Sequence, residues 1–179
     1  LINIYGLYQH KKTIEPEFQD VKNEILEVPD IKKEEQKPNI TVSIPSRAIS
    51  LDEIYKVVDQ WHAEAPEITE VGEVGKSHEN HPIKYIRIGK KTGPKVLIMA
   101  TIHGNEKLCT MTSLGCINEI LKNYMSDSRV TDLLKTRDIY YVPVVSPEGY
   151  INNSRHVLNL DPNRNWNGPD MSDNPDSIA

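Results

Sequence analysis

Apolar positions between residues 50 and 145 recur at spacings that predict alternating helices and strands. Ser50 is typical of a helix N-cap, Glu53 completes a capping box with it, and an apolar face follows until Pro66 ends the helix. Two strand-like runs near residues 70–76 and 83–89 are joined by a polar turn. The pattern further predicts a helix over about residues 106–124, a short helix over 130–136 and a second buried strand over 138–145.

The most apolar strand candidate is the run KVLIMAT at residues 95–101. It shows no polar alternation, which is typical of a strand buried on both faces of a sheet. Because strands and helices alternate along this part of the chain, we predict an α/β domain with a mixed central sheet. Functional sites in such sheets gather at the carboxyl ends of strands, so the residues that follow this run and the strand at 138–145 are the candidate site.

Residues 1–45 differ in character from the rest of the chain. A charged run at residues 32–38 ends in a proline and is typical of a solvated linker. Upstream of it, apolar residues recur at helical spacing, namely Phe18, Val21, Ile25 and Val28. We therefore predict an N-terminal extension with a charged linker over residues 1–45, which could contact an assembly partner, and a folded domain over residues 46–179.

The charge balance and the hydropathy pattern exclude some classes of partner. The chain has 26 acidic and 21 basic residues, a net charge of -5, and no basic block of the kind that neutralises phosphates. No apolar run approaches the roughly eighteen residues that a membrane span requires. We therefore expect neither nucleic acid as a ligand nor a membrane span.

The two cysteines, Cys109 and Cys116, lie in the predicted helix over residues 106–124. A separation of seven residues is about 10.5 Å along a helix axis, which exceeds the Cα reach of a disulfide. They cannot pair with each other there. We expect two buried thiols that behave as small apolar groups, with metal ligation as the alternative.

A histidine and a carboxylate follow the apolar run directly, because His103 and Glu106 stand three residues apart after Thr101. Zinc takes imidazole and carboxylate ligands at about 2.0–2.2 Å, and a catalytic site combines three protein ligands with a position for water. A solvated pair at a helix start would show the same spacing by chance. The neighbouring motifs therefore decide how this pair is interpreted.

Three further segments carry unusual residues in a characteristic order. The segment SPEGY occupies residues 146–150 after the second buried strand, Arg155 follows it, and LDPNRNW occupies residues 160–166. Upstream, GKSHENHPI at residues 75–83 has the composition of a polar hairpin. With His103 and Glu106, these segments make the chain resemble the zinc carboxypeptidase family, the metallocarboxypeptidases related to the pancreatic digestive enzymes. The resemblance covers roughly residues 50–179 and implies a mixed central sheet with helices on both faces.

The resemblance implies a role for each candidate site residue. His103 and Glu106 match the family's zinc (Zn2+) ligands, and Asp161 matches the carboxylate that fixes the ring of the ligand histidine. Arg155 matches the residue that polarises the scissile carbonyl. The substrate's terminal carboxylate would be bound by Asn163 and Arg164.

Each assignment after the strand has an alternative that the sequence leaves open. Arg155 could be a surface arginine in a polar loop, and Asn163 could supply turn geometry beside Pro162. His78, His81 and His156 are candidates for a third ligand, but His156 adjoins Arg155 and the other two fall in the predicted hairpin.

The family's third zinc ligand, its substrate-capping tyrosine and its general-base glutamate all lie beyond the segment that ends here at Ala179. The resemblance therefore implies that residues 46–179 form the N-terminal half of a catalytic domain and that the chain is truncated. The expected activity of the parent protein is hydrolysis of the C-terminal peptide bond, or an amino-acyl amide bond, of a peptide or amino-acyl substrate with a free carboxylate. The alternatives are a small-molecule acyl-amino-acid deacylase and a noncatalytic structural or binding module.

Overall fold

The computed structural model of the protein describes residues 36–91 and 93–164. Its elements follow the predicted alternation of helices and strands. In chain order they are α1 (Leu51–Glu64), β1 (Thr69–Lys76), β2 (Pro82–Ile88), β3 (Lys95–Met99), α2 (Lys107–Asn123), α3 (Ser128–Thr136), β4 (Asp138–Val142), α4 (Pro147–Ile151) and a 3-10 turn (Pro162–Arg164). Each helix and strand predicted between residues 50 and 145 has a counterpart, and the boundaries differ by a few residues.

The capping box at the start of α1 is confirmed. Ser50 Oγ accepts a hydrogen bond from the Glu53 backbone N–H at 3.2 Å, and the Glu53 carboxylate accepts one from the Ser50 backbone N–H at 2.7 Å. One face of the helix is apolar, and its residues Ile54, Val58 and Trp61 are completely buried. The cap fixes where the helix begins, and the apolar face fixes which side enters the core.

The four strands form one mixed sheet in the order β1-β2-β4-β3. β1 pairs with β2 and β2 with β4 in antiparallel orientation, whereas β3 and β4 are parallel. The predicted α/β fold with a mixed central sheet is therefore confirmed. Because β3 and β4 run in the same direction, the segments that follow them leave the sheet at the same edge.

The two long helices, α1 and α2, contact the same face of the sheet. Asp59 of α1 binds Lys84 of β2 at 2.9 Å, and Ser113 of α2 binds the hydroxyl of Tyr141 of β4 at 2.7 Å. Tyr141 lies opposite Ile86, two residues after Lys84, so both contacts fall on one side of the pleat. The core of the domain lies between this face and the helices.

The expectation that the run at residues 95–101 is buried on both faces is wrong for the strand itself. β3 is the edge strand of the described sheet, with β4 on one side. Exposed fractions are 41% for Val96, 60% for Leu97 and 40% for Met99. Absence of alternation indicates that both faces are apolar, but it does not report whether a neighbouring strand or helix covers them.

The expectation of buried thiols is also wrong, because Cys109 and Cys116 are both exposed. The buried positions of α2 follow another stripe, made of Thr110, Met111, Leu114, Ile117, Asn118 and Leu121. Seven residues are almost two full turns of a helix, so both cysteines lie on one side, next to this stripe. Each helical turn offers only a limited arc to the core, and the cysteines fall outside it.

The predicted boundary at residue 45 stays a prediction, and the apolar helical spacing over Phe18–Val28 lies outside the described residues. Ile40 and Val42 pack into the core, and the carbonyl of Val42 accepts a hydrogen bond from Asn118 of α2 at 3.2 Å. Among the helices that the structure describes, none has the length and apolar character needed to cross a bilayer.

Candidate metal site

His103 lies in the turn between β3 and α2, and this turn begins with a strained residue. Thr101 is buried and has a φ of 51°, in the left-handed region that β-branched residues avoid. Such strain costs on the order of 1–3 kcal/mol and persists only where the surroundings impose it. The Ser146 backbone N–H donates to the Thr101 carbonyl at 3.2 Å, and the Thr101 hydroxyl is hydrogen-bonded to that of Thr110. The turn is thus held by the segment that follows β4 and by α2.

A close backbone contact joins this turn to α4. A Cβ atom on Gly104 would lie 1.7 Å from the carbonyl carbon of Gly149, a distance that no side chain can adopt. Glycine at position 104 is therefore required by the approach of the two segments. The sequence offered a signal for this contact, since a glycine directly follows His103 and another lies within the segment at 146–150, but the pairing of the two was not predicted.

The imidazole of His103 lies between two carboxylates. Its Nδ1 is 3.0 Å from Oε1 of Glu106, and its Nε2 is 2.9 Å from Oδ1 of Asp161. The His103 side chain is 8% exposed and that of Asp161 is 17% exposed, whereas Glu106 is 53% exposed. The largely buried carboxylate of Asp161 thus fixes the ring through Nε2, and Nδ1 faces the exposed carboxylate of Glu106.

The spacing between His103 and Glu106 fits a shared cation. A neutral imidazole carries one N–H, and if Nε2–H donates to Asp161, the lone pair of Nδ1 faces the Glu106 oxygen. Two acceptors 3.0 Å apart need a proton or a metal ion between them. Two ligands of tetrahedral zinc, with bonds of about 2.0–2.1 Å, lie about 3.3 Å apart. The pair therefore fits two positions of a zinc site.

Arg155 joins the two carboxylates from the other side. Its Nη2 and Nε lie 3.0 and 3.1 Å from Oδ2 of Asp161, and its Nη1 lies 3.5 Å from Oε1 of Glu106. The hydrogen bond from His103, with further bonds from the Asn163 backbone and from Arg155, lowers the pKa of Asp161 to about 2 although burial raises it. Asp161 is therefore held as an anion that binds the imidazole with one oxygen and the guanidinium with the other.

The described contacts tie Asn163 and Arg164 to this cluster through the backbone. The Asn163 backbone N–H donates to Oδ1 of Asp161 at 2.9 Å, and Nη1 of Arg164 donates to the Asn163 carbonyl at 3.2 Å. Both side chains are exposed on the 3-10 turn. The neighbouring Asn165 and Trp166 lie outside the described residues.

Among the described residues, no hydrogen bond or ion pair joins the other candidate histidines to the His103 cluster. His81 is 3.7 Å from Glu79 within the turn between β1 and β2, and His156 is exposed. Among residues 36–91 and 93–164, no three His, Cys, Asp or Glu side chains converge as a complete metal-binding set.

Glu148 is a buried residue near the site that was not singled out from the sequence. It is 6% exposed, and its carboxylate accepts a hydrogen bond from the Glu79 backbone N–H at 2.7 Å. Burial raises the pKa of Glu148, but hydrogen bonds from the Ser77 side chain and the Glu79 backbone bring the pKa below its ordinary value. The carboxylate therefore links α4 to the turn between β1 and β2.

A cleft of about 250 Å³ opens beside Glu106 at the first turn of α2. Its walls are formed by Asn105, Glu106, Lys107, Leu108, Cys109 and Asn153. The ammonium of Lys107 lies 4.7 Å from the centre of the Tyr150 ring, which holds this cation at the edge of the cleft. Space for a ligand thus adjoins the accessible carboxylate of the cluster.

Comparison with known proteins relates this chain to one family. The zinc carboxypeptidase family model matches residues 54–177. The chain is similar to mouse carboxypeptidase A2, with 32% identity over 148 residues that cover 70% of this chain and 35% of the relative. It is also similar to a zinc carboxypeptidase of Simulium vittatum, with 31% identity over 134 residues, 66% of this chain and 43% of the relative. The chain thus spans between a third and a half of the length of these relatives.

Solved structures show the same fold. The crystal structure of carboxypeptidase A from Helicoverpa armigera superposes with a TM-score of 0.56 at 24% identity, covering 76% of this chain and 33% of that one. Bovine thrombin-activatable fibrinolysis inhibitor, solved in complex with tick carboxypeptidase inhibitor, superposes with a TM-score of 0.51 at 28% identity, over 59% and 33% of the two chains. By its sequence match and its fold, the chain belongs to the zinc carboxypeptidase family of metalloprotease hydrolases.

Proposed function

We propose that this chain carries part of the active site of a zinc-dependent metallocarboxypeptidase, which hydrolyses the C-terminal peptide or amino-acyl amide bond of a substrate with a free carboxylate. The observation that supports this most is the continuous contact of His103, Glu106, Asp161 and Arg155. The imidazole and the guanidinium are each in contact with both carboxylates. Two candidate metal ligands and the guanidinium of Arg155 thus lie together, which supports the proposal.

In this proposal Nδ1 of His103 and the carboxylate of Glu106 hold the zinc ion. When bound, zinc supplies a Lewis acid and lowers the pKa of a bound water. Asp161 accepts the Nε2–H of His103, which keeps the ring in the tautomer that leaves Nδ1 free for the metal. Because His103 is buried, water competes little for the hydrogen bond between its Nε2–H and Asp161.

Arg155 is the proposed electrostatic group of the reaction. Its side chain is 39% exposed, so the guanidinium can reach a substrate while Asp161 holds its Nε and Nη2. A guanidinium keeps its charge at every relevant pH and needs no reorganisation when negative charge develops on a carbonyl oxygen. The cleft beside Glu106 leaves room for the substrate at this side of the cluster.

Asn163 and Arg164 are proposed to bind the terminal carboxylate of the substrate. Both side chains are exposed, and the backbone of Asn163 is tied to Asp161 at 2.9 Å. The planar fork of Arg164 can make two parallel charge-assisted hydrogen bonds to a carboxylate. Hydrolysis that depends on a free carboxylate distinguishes this proposal from a noncatalytic module.

The experiment is hydrolysis of a blocked dipeptide by the full-length protein, before and after chelation, with an R164A variant beside the wild type. We expect chelation to abolish hydrolysis, zinc to restore it, and R164A to raise KM for substrates with a free carboxylate. A dipeptide amide serves as the control substrate, since it lacks the anion that Arg164 would bind. Absence of chelator-sensitive hydrolysis would refute the proposal and favour a noncatalytic module.

A further inference from the structure

We propose that Glu148 is a positioning residue that sets the place of the His103 turn and of Arg155 by anchoring α4 to the turn between β1 and β2. The inference rests on the proposed function in that these two segments are taken as parts of the active site. Among the described residues, Glu148 makes no hydrogen bond or ion pair with His103 or Arg155.

The first step is the anchor itself. Glu148 is buried to 6% exposure, and a buried carboxylate is costly unless its oxygens are satisfied. Its Oε1 accepts from the backbone N–H of Glu79, 69 residues away along the chain, at 2.7 Å. The nearby Ser77 side chain helps to lower the pKa of this carboxylate and so favours its charged form. The bond to Glu79 therefore holds the first turn of α4 against one specific turn of the sheet.

The second step is the contact between α4 and the His103 turn, which joins β3 to α2. Gly149 follows Glu148 directly, and its backbone approaches Gly104 so closely that a Cβ on Gly104 would lie 1.7 Å from it. Gly104 in turn follows His103 directly. A displacement of α4 by a fraction of an ångström would therefore either collide with this turn or release it.

The third step leads to Arg155. The carbonyl of Gly149 accepts a hydrogen bond from the Ser154 backbone N–H at 2.8 Å, and Ser154 immediately precedes Arg155. At its other end α4 is held by Tyr150, whose hydroxyl donates to the Ile49 carbonyl at 2.7 Å. With Glu148 in place, α4 is thus held near both of its ends. Its residue Gly149 contacts the His103 turn through Gly104 and the Arg155 segment through Ser154.

The length of the Glu148 side chain and its acceptor oxygen are the properties that this role requires. The variant E148Q keeps both, because an amide oxygen can accept from the Glu79 N–H. The variant E148D keeps the charge but is one methylene shorter, and E148A removes the group. A matched control is E64A, since Glu64 also accepts a backbone N–H across many residues, from Thr41 at 2.9 Å, away from the His103 cluster.

The test measures amide hydrogen exchange in the metal-free full chain and the ring 15N shifts of His103. We expect E148A to exchange about fivefold faster over residues 101–106 and 152–157, as for one lost hydrogen bond, with α1 unchanged. The His103 ring shifts should move in E148A and E148D and return towards wild type in E148Q. E64A should leave both segments and the ring unchanged.

Two results would overturn the inference. One is faster exchange confined to residues 77–81, which would mean that Glu148 stabilises only the turn it touches. The other is an order of effects in which E148D matches the wild type and E148Q does not, which would assign the role to charge alone. If E148A fails to fold, the comparison of E148D with E148Q decides. Because these readouts need no zinc, failure of the proposed function would leave them intact.

Discussion

At the scale of single residues, the site depends on how Asp161 divides its two oxygens. Oδ1 faces the His103 ring at 2.9 Å and Oδ2 faces Arg155 at 3.0 Å. One carboxylate therefore orients both the proposed metal ligand and the proposed electrostatic group. Neither partner can be repositioned without disturbing the other.

Replacing Asp161 tests this double role. In D161N, a carboxamide can accept from only one partner and presents an NH2 group to the other, so we expect zinc affinity to fall by about 10–100-fold. Competition with a chromophoric chelator measures the change. The matched control is D59N, which breaks the exposed pair with Lys84 at 2.9 Å. Equal zinc affinity in D161N and wild type would contradict the role of Asp161.

Two glycines give opposite predictions for the same substitution. A Cβ on Gly104 would meet the Gly149 backbone at 1.7 Å, so G104A should lower the free energy of unfolding by about 1–3 kcal/mol or more. A Cβ on Gly115 would meet nothing within 4 Å, so G115A should raise it by about 0.5–1 kcal/mol through helix propensity. Urea unfolding measures both, and a neutral G104A would disprove the close contact.

At the scale of elements, local signals determine most boundaries. Asp127 caps α3 by accepting from the Arg129 backbone N–H at 2.9 Å, and it also binds the Arg129 guanidinium at 2.8 Å. These bonds, led by that from the Arg129 side chain, lower the pKa of Asp127 to about 2. Asp127 therefore acts in two ways, as the hydrogen-bond acceptor of the helix cap and as a negative charge beside Arg129.

The variant D127N separates these two properties, because Asn remains a good N-cap but carries no charge. The folded pKa lies below the unfolded value of about 3.9, so the charge stabilises the protein above that pH and the benefit is lost as pH falls towards 2. We expect the wild type to unfold at higher urea than D127N at pH 6 and the gap to close near pH 2. A gap that stays constant over this range would contradict the assignment.

The sequence predicted elements where the cause is local. The capping box of α1, the apolar face of α1 and the polar turn between β1 and β2 each lie within a short stretch of chain. Burial of β3 and of Cys109 was mispredicted, because burial depends on which neighbours the fold supplies. The contacts from Glu148 to Glu79 and from Gly104 to Gly149 join distant segments, and a single sequence contains no direct record of such pairs.

The candidate site was predictable to the extent that its residues lie within recognisable motifs. His103, Glu106, Arg155 and Asp161 come together as the resemblance implied, although their roles stay proposals. The parallel pairing of β3 with β4 explains why the segments after these strands meet. The pairing of Arg155 with both carboxylates was not predicted, since loop conformation decides where a long side chain points.

At the scale of the whole molecule, the exposed edge of the sheet is a prominent feature. β3 carries apolar residues on both faces, with Leu97 60% exposed. Exposed apolar edge strands are sites of association. We expect this chain alone to self-associate as concentration rises, and L97K to reduce this in sedimentation velocity.

The control for the edge is L158K, because Leu158 is 53% exposed but lies outside the sheet. Equal effects of L97K and L158K would show that general surface hydrophobicity causes association. A wild-type chain that stays monomeric at all concentrations would contradict the prediction.

The most direct test of the proposed metal site is zinc binding by this chain, as wild type and as the variant E106A. We expect the wild type to bind zinc with one imidazole in its first shell at about 2.0–2.1 Å by X-ray absorption, and E106A to lose retention of the metal. E119A, which removes an exposed carboxylate within α2, should bind as the wild type does. Unchanged zinc content in E106A would contradict the assignment of Glu106 and, with it, the proposed site.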